Sequence, residues 1–214
     1  MTFINQLRDL LQQPLPHHDI RKEGLDPIML EFILRSREAA EENMKKRPPR
    51  PCAVLTMLYQ KKDIWHTTLI VRPAKSRVHP GQLAFPGGKK EEQDPNLQTT
   101  AIREAMEEVG VQVSNEQVLG PLSTVYIPPS NTIVTPYVAY LESPPTFTPQ
   151  PNEVDLILEP SLNALIDPIN VRQKKVVMAT GEVFPLPAFQ VGAHLVWGGT
   201  ARMISELNKL VVQI

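Results

Sequence analysis

From Cys52 onward the chain is organised in short runs of apolar, β-branched and aromatic residues, each bounded by Pro, Gly or Asn. Runs of this length and composition predict strands. A Lys-Lys-Asp turn separates the first two runs, so we predict a hairpin of residues 52–59 and 65–72. Further strands are predicted at 119–127, 133–141, 171–178 and 182–189.

Helical spacing of apolar residues marks four other stretches. They are residues 1–13, Asp26 to residue 47, Asp94 to Gly110, and residues 200–210. Asp26 and Asp94 each precede a proline, which predicts an N-cap followed by the first helical position. Gly110 is expected to end its helix in the left-handed conformation.

Strands that surround a helix predict an α/β (α+β) fold, a mixed sheet with helices on its faces. The 214 residues suffice for one core that buries roughly 70% of the unfolded surface. Residues 1–50 contain too few apolar positions for a core of their own. We therefore expect residues 1–50 to form a helical arm packed on a main domain of residues 51–214.

Composition excludes several classes of protein. The 22 Lys and Arg nearly balance the 23 Asp and Glu, which gives no global attraction for nucleic acid. The single cysteine, Cys52, excludes an internal disulfide and is typical of a reducing compartment. We see neither a signal peptide nor an apolar run of the roughly 20 residues that span a membrane. We expect no nucleic-acid or membrane partner and a cytoplasmic location, and a homodimer stays open.

The helix ending at Gly110 has an unfavourable charge pattern. Glu104 and Glu108 are one turn apart, where like charges cost roughly 0.2–0.5 kcal/mol. Glu107 and Glu108 also face the negative end of the helix. Arg103 is four residues before Glu107 and can pair with it on the helix. No basic residue lies three or four residues from Glu104 or Glu108. Either this is a solvated acidic face or a divalent cation, Mg²⁺ or Mn²⁺, compensates the charge.

The residues before this helix favour the cation. A turn, Phe85-Pro86-Gly87-Gly88, precedes the segment REAMEEVG, and together they resemble the Nudix hydrolase box. Matching positions are Gly88, Arg103, Glu104, Ala105, Glu107, Glu108, Gly110 and Val111. The middle of the box differs in two ways. Asp94 stands where the box has Glu, and eight residues instead of seven separate it from Arg103. Glu91 and Glu92 are alternatives for the role of this first acidic residue.

The flanking residues resemble the coenzyme A pyrophosphatase subgroup of this family. The resemblance rests on Arg77, the segment HPGQ with His79 and Gln82, the longer spacing in the box, and VWGGTARM at 196–203. It implies a Nudix fold, in which a mixed sheet lies between helices (α/β/α). It also implies hydrolysis of coenzyme A or acyl-CoA to adenosine 3',5'-bisphosphate and 4'-phosphopantetheine or its acylated form.

The resemblance also implies roles for individual residues. Glu104 and Glu108 would bind Mg²⁺ or Mn²⁺ with help from Glu107, and Arg103 would orient these carboxylates. Glu153, in a loop outside the box, is the candidate further ligand or base, with Glu104 as the alternative base. The candidate substrate-binding residues are Arg77, His79, Gln82, Phe85, Gly87 and Gly88. The alternative functions are hydrolysis of ADP-ribose or dinucleoside polyphosphates, and a non-catalytic Nudix-fold binding module.

Overall fold

The computed structural model describes residues 2–13, 38, 40–76, 79–177, 181 and 183–214. Its helices are α1 (Phe3–Gln12), α2 (described over residues 40–46), α3 (Leu97–Val109), α4 (Leu162–Ile166) and α5 (Gly198–Val211). Its strands are β1 (Arg50–Lys61), β2 (Ile64–His66), β3 (Leu69–Val71), β4 (Leu83–Ala84), β5 (Gly87–Lys89), β6 (Val118–Pro121), β7 (Val125–Ile127), β8 (Thr132–Tyr140), β9 (Leu156–Leu158), β10 (Val171–Val177), β11 (Val183–Val191) and β12 (His194–Trp197).

A mixed sheet forms the centre of the molecule. Strands β1 and β8 pair in parallel, from Arg50 opposite Thr132 to Leu58 opposite Tyr140. The other edge of β1 pairs antiparallel with β2 and β5, and the other edge of β8 pairs antiparallel with β6 and β7. Two smaller sheets have the orders β4-β3-β9 and β10-β11-β12.

Helices cover both faces of the central sheet. On one face, Leu55 and Met57 of β1 pack in a core cluster with Ala101 and Ala105 of α3. On the other face, Leu58 packs in a second cluster together with residues of α1 and α5. Because β1 is buried on both faces, it has a nearly continuous apolar sequence rather than alternation. The predicted α/β/α arrangement with a mixed sheet is confirmed.

The predicted hairpin is only partly correct. Lys62 and Asp63 have positive φ angles of 49° and 62°, as in the tight turns that join antiparallel strands, and β2 pairs with β1. The run 65–72 is not one strand, however. After the buried residues Thr67 and Thr68 the chain leaves the central sheet, and β3 pairs with β4 and β9 instead. This change of sheet carries the segment after β3 towards α3.

Two other boundaries differ from the prediction. The strand predicted at 119–127 is divided into β6 and β7, because Glu206 of α5 accepts hydrogen bonds from the N–H and hydroxyl of Ser123. Helix α3 begins after Asn96, whose side chain accepts a hydrogen bond from the Thr99 N–H, and Asp94 is not its cap. The predicted start of the second helix at Asp26 lies outside the described residues.

Helix α1 lies against the same core as the central sheet. Leu7 and Leu11 are buried with residues of α5 and β6, and the ring of Phe3 lies 4.7 Å from that of Trp65. The described N-terminal helix thus contributes apolar surface to the fold. The division of the chain into an arm of residues 1–50 and a domain of residues 51–214 stays a prediction.

We expect Leu7→Ala to lower the free energy of unfolding by about 2–5 kcal/mol, because Leu7 is 0% exposed and its removal leaves a cavity. Urea denaturation measures this loss. Asn5→Ala, at an exposed position of the same helix, is the matched control and should change stability by less than about 0.5 kcal/mol. Equal stability of the two variants would show that α1 contributes little to the core.

Candidate active site

Asp94 lies in the turn just before α3 and binds the side chain of Arg103 in that helix. Its side chain is 2% exposed and accepts hydrogen bonds from the Glu91 N–H at 3.0 Å and the Thr100 hydroxyl at 2.9 Å. Arg103 donates to both Asp94 carboxylate oxygens, from Nε and Nη2, at 3.0 Å each. This guanidinium, more than any other contact, holds the pKa of Asp94 well below its usual range.

This contact decides between the acidic residues proposed for the first position of the box. Glu91 and Glu92 are exposed, whereas Asp94 is buried and contacts Arg103. The extra residue in the spacing is accommodated by a tight turn, in which the Asp94 N–H donates to the Glu91 carbonyl at 3.1 Å. Among the three acidic residues considered for the first position of the box, Asp94 is therefore the one that contacts Arg103.

Arg103 also connects the other carboxylates of α3. It donates to Glu107 at 2.8 Å, to Glu104 at 3.2 Å and to the Lys89 carbonyl of β5 at 3.0 Å. The predicted Arg103–Glu107 pair is thus present. Glu104 also has a basic partner, which the analysis by helical spacing missed because the two residues are adjacent in sequence.

Glu108 is the most deeply buried of the three box glutamates. Its side chain is 3% exposed, and it accepts a hydrogen bond from the Gly87 N–H at 2.8 Å. Its pKa is raised to about 8, first by burial and then by the charges of Glu104 and Glu153, against the lowering effects of the Gly87 hydrogen bond and the Arg72 charge. Burial likewise raises the pKa of Glu104. In the metal-free protein, a negative charge on either of these side chains is therefore disfavoured.

Gly87 and Gly88 allow strand β5 to pass between β1 and α3. Gly87 has a φ of 155°, and a Cβ there would collide with the backbone of Ala53 and Val54. A Cβ on Gly88 would collide with the carboxylate of Glu104. The positive φ expected for this turn is therefore present at Gly87.

Glu153 lies in a loop that docks on the C-terminal end of α3. The N–H groups of Thr148 and Gln150 donate to the carbonyls of Val109 and Glu108 at 2.8 and 2.9 Å, which satisfies backbone groups that a helix end leaves unpaired. The Asp155 N–H then donates to the Val71 carbonyl at 2.9 Å. The loop thereby brings the charge of Glu153 close enough to raise the pKa of both Glu104 and Glu108.

The predicted substrate-binding residues have different positions. His79 is in the loop between β3 and β4 with a φ of 55°, and its pKa is lowered first by burial and then by the charge of Arg72. Gln82 interacts with His79 through its side chain. Phe85 is 2% exposed and lies in the core rather than at an accessible surface. Arg77 lies outside the described residues.

Arg72 also belongs to the site, although the sequence pattern did not indicate it, because its Nη1 lies 3.8 Å from a Glu108 carboxylate oxygen. Arg72 follows the fully apolar run Leu69–Val71 and precedes a proline. A charged residue at the end of a buried strand was the available signal. It could not be connected with α3 because the contact joins residues far apart in the sequence.

Of the three glutamates of α3, only some are placed to bind a divalent cation. In the part of the chain that the structure describes, no three His, Cys, Asp or Glu side chains form a group arranged to hold a metal. Glu107 is 53% exposed and pairs with Arg103. The buried Glu104 and Glu108, near the charge of Glu153, could supply hard oxygen ligands and leave positions for water and substrate.

Comparison with known proteins identifies the family. The model of the NUDIX domain matches residues 48–179. The chain belongs to the Nudix family. The match contains the box, the loop before it and the loop with Glu153, and members of this family generally use divalent metals. It confirms the resemblance on which the site was predicted.

Relatives support the predicted subgroup. This Nudix protein is 34% identical over 184 residues to the human mitochondrial coenzyme A diphosphatase NUDT8, covering 82% of this chain and 76% of that protein. It is 38% identical over 132 residues to NUDT8 of Mus musculus, of which it covers 62%. The peroxisomal coenzyme A diphosphatase NUDT7 of Mus musculus is 30% identical over 75% of this chain and 69% of its own length.

Solved structures have the same fold at low sequence identity. A MutT/nudix family protein from Enterococcus faecalis superposes with a TM-score of 0.57 at 16% identity, covering 82% of this chain and 74% of its own. The Nudix hydrolase RenU from M. smegmatis superposes with a TM-score of 0.51 at 17% identity, covering 78% of this chain and 88% of its own.

Within the described ranges, no helix is long and apolar enough to cross a membrane.

We expect Asp94→Asn to cost about 3 kcal/mol of stability and to lower turnover, because it leaves the Arg103 guanidinium without its buried partner. Glu107→Gln is the control, since it removes the exposed partner of the same arginine and should cost less than about 1 kcal/mol. Urea denaturation and initial rates measure both variants. Equal losses would contradict the assignment of Asp94 as the anchor.

The pKa of Glu108 predicts a pH dependence of the metal-free protein. The folded state keeps the Glu108 proton up to about pH 8, whereas an unfolded chain releases it near the ordinary value of 4.5. The stability contribution of this proton is therefore complete below about pH 4.5 and is lost as the pH rises through about 8. In the presence of a chelator, we expect Glu108→Gln to gain stability relative to the original protein across this interval.

Urea denaturation at several pH values tests this expectation. The matched control is Glu107→Gln, which removes an exposed carboxylate of the same helix. A constant stability difference between Glu108→Gln and the original protein from about pH 5 to about pH 8 would contradict the raised pKa of Glu108.

Proposed function

We propose that this Nudix protein is a Mg²⁺- or Mn²⁺-dependent diphosphatase of coenzyme A or acyl-CoA. Water attacks a phosphorus of the diphosphate and breaks the phosphoanhydride bond. The products are adenosine 3',5'-bisphosphate and 4'-phosphopantetheine or its acylated form. The observation that carries the proposal is the buried pair Glu104 and Glu108, with Arg72, which is bonded to the end of the His79 loop, 3.8 Å from Glu108. The relatives named as coenzyme A diphosphatases support the substrate.

Each side chain of the site has a function in this reaction. Glu104 and Glu108 hold the cation, and Arg103 fixes Glu104 while its own position is set by Asp94. A cation held there would neutralise charge on the phosphate oxygens and would lower the pKa of a bound water. Glu107 assists from the solvent side, where it keeps its contact with Arg103.

Glu153 is the better candidate for the general base. It is exposed and lies on a loop, where a water molecule has access to its carboxylate. The Glu104 side chain is 14% exposed and accepts a hydrogen bond from Arg103, so its carboxylate is less accessible to a water molecule. The docking of the loop on the end of α3 keeps Glu153 at the edge of the site.

A substrate panel tests the proposed function. Coenzyme A, dephospho-coenzyme A, ADP-ribose and a dinucleoside polyphosphate are incubated with Mg²⁺ or Mn²⁺, and the products are separated by chromatography. We expect coenzyme A to have the highest kcat/KM and the activity to disappear after chelation. Glu108→Gln should lower the rate by roughly a hundredfold, which corresponds to about 3 kcal/mol of transition-state stabilisation.

Each contrary outcome points to a different alternative. Faster hydrolysis of ADP-ribose or of the dinucleoside polyphosphate would exclude the coenzyme A subgroup and leave the Nudix family. Binding without hydrolysis of any substrate would indicate a non-catalytic module. Full activity after exhaustive chelation would exclude the metal.

Arg77 is proposed to read the ribose phosphate, which dephospho-coenzyme A lacks. Replacing Arg77 should reduce the preference for coenzyme A over dephospho-coenzyme A by roughly 5- to 150-fold.

Cytoplasmic location and a homodimer stay predictions. Cell fractionation measures the first, and size-exclusion chromatography measures the second.

A further inference from the structure

Arg72 occupies a fixed position at the edge of the candidate active site. It follows β3 directly, and its N–H donates to the Gln82 carbonyl at 3.0 Å while its carbonyl accepts from the Gly81 N–H at 3.1 Å. These two bonds tie the end of β3 to the far end of the loop that contains His79. The direction in which the side chain leaves the backbone is therefore set by the fold.

The guanidinium of Arg72 has donors that the protein leaves unused. Its Nε is buried without a hydrogen-bond partner, which is rare for a polar group in a folded protein. Its Nη1 lies 3.8 Å from the Glu108 carboxylate, beyond hydrogen-bond distance. The side chain is 31% exposed, so part of the guanidinium faces the open side of the site.

The second arginine of the site has no such capacity. Arg103 donates from Nε, Nη1 and Nη2 to Asp94, Glu104, Glu107 and the carbonyl of Lys89. Its hydrogen bonds are directed to the protein itself. Among these two arginines beside the carboxylates, only Arg72 has a buried donor without a protein acceptor.

We propose that Arg72 is a substrate-binding residue that donates hydrogen bonds to non-bridging oxygens of the diphosphate. The forked guanidinium matches the geometry of phosphate oxygens. Its distance from Glu108 places it beside the phosphate that a cation on Glu108 would hold. This proposal rests on the proposed function, because it assumes that the diphosphate binds at the Glu104 and Glu108 carboxylates.

A purely structural role for Arg72 makes the opposite prediction about the metal. If Arg72 served only to hold the Glu108 carboxylate, its removal would misplace a ligand and weaken metal binding. If it binds the diphosphate, its removal takes a positive charge away from the cation. Metal affinity should then be unchanged or higher, and only affinity for the diphosphate should fall.

Binding measurements on the full chain separate these roles. In Arg72→Gln we expect Mn²⁺ affinity, measured by calorimetry without substrate, to be equal to or higher than that of the original protein. Affinity for methylenediphosphonate, a diphosphate analogue that cannot be hydrolysed, should fall by about tenfold to a hundredfold in the presence of Mg²⁺. Weaker Mn²⁺ binding with unchanged binding of the analogue would overturn the proposal.

Two variants serve as controls. Arg72→Lys keeps the positive charge but loses the fork, and we expect a binding defect between those of the original protein and Arg72→Gln. This conservative variant also provides the test if Arg72→Gln does not fold. Arg172→Gln removes an arginine of β10 whose Nη1 donates to the backbone carbonyls of Ile169 and Val171, and it should leave both affinities unchanged.

Kinetics distinguish the diphosphate from the ribose phosphate. Arg72→Gln should lower kcat/KM by the same factor for coenzyme A and for dephospho-coenzyme A, because both contain the diphosphate. A loss confined to coenzyme A would assign Arg72 to the ribose phosphate and overturn the proposal. If the original protein hydrolyses none of the substrates but the binding results are as expected, the proposed function fails while the role of Arg72 stands.

Discussion

The hydrogen-bonded ion pair of Asp94 and Arg103 is the contact on which the site depends. It joins the turn before α3 to the middle of that helix, and the same guanidinium reaches the carbonyl of Lys89 in β5. Because Asp94 is almost completely buried, the pair is shielded from solvent and fixes the arginine in one orientation. The remaining donors of Arg103 then set the positions of Glu104 and Glu107.

Packing around this pair places two carboxyl groups where they are shielded from solvent. Gly88 allows β5 to approach so closely that a Cβ there would collide with the Glu104 carboxylate, and Gly87 supplies the N–H that donates to Glu108. The loop docked on the end of α3 adds the charge of Glu153. The free energy spent on this arrangement is explained if a divalent cation and a phosphate group occupy the site, since functional sites are where raised carboxylate pKa values concentrate.

The parts of the structure that follow from local sequence signals could be predicted. Apolar runs in the sequence predict strands β1 and β8. Gly110 ends α3 with a φ of 72°, as expected for a helix terminated by glycine. The division of residues 65–72 between two sheets depends on partners in β4 and β9, far away in the sequence. The same reason applies to Arg72, whose proximity to Glu108 is created only by the fold.

The two arginines of the site illustrate how hydrogen-bond saturation separates structural from functional side chains. Both lie within 4 Å of a box glutamate, so charge and proximity alone do not distinguish them. Arg103 directs its donors to protein acceptors, and its pKa is raised mainly by Asp94, as expected for a group whose task is to hold others in place. Arg72 has a fixed backbone but a buried donor with no acceptor. Since such an arrangement is costly in the free protein, it is best explained by an acceptor that arrives with the substrate.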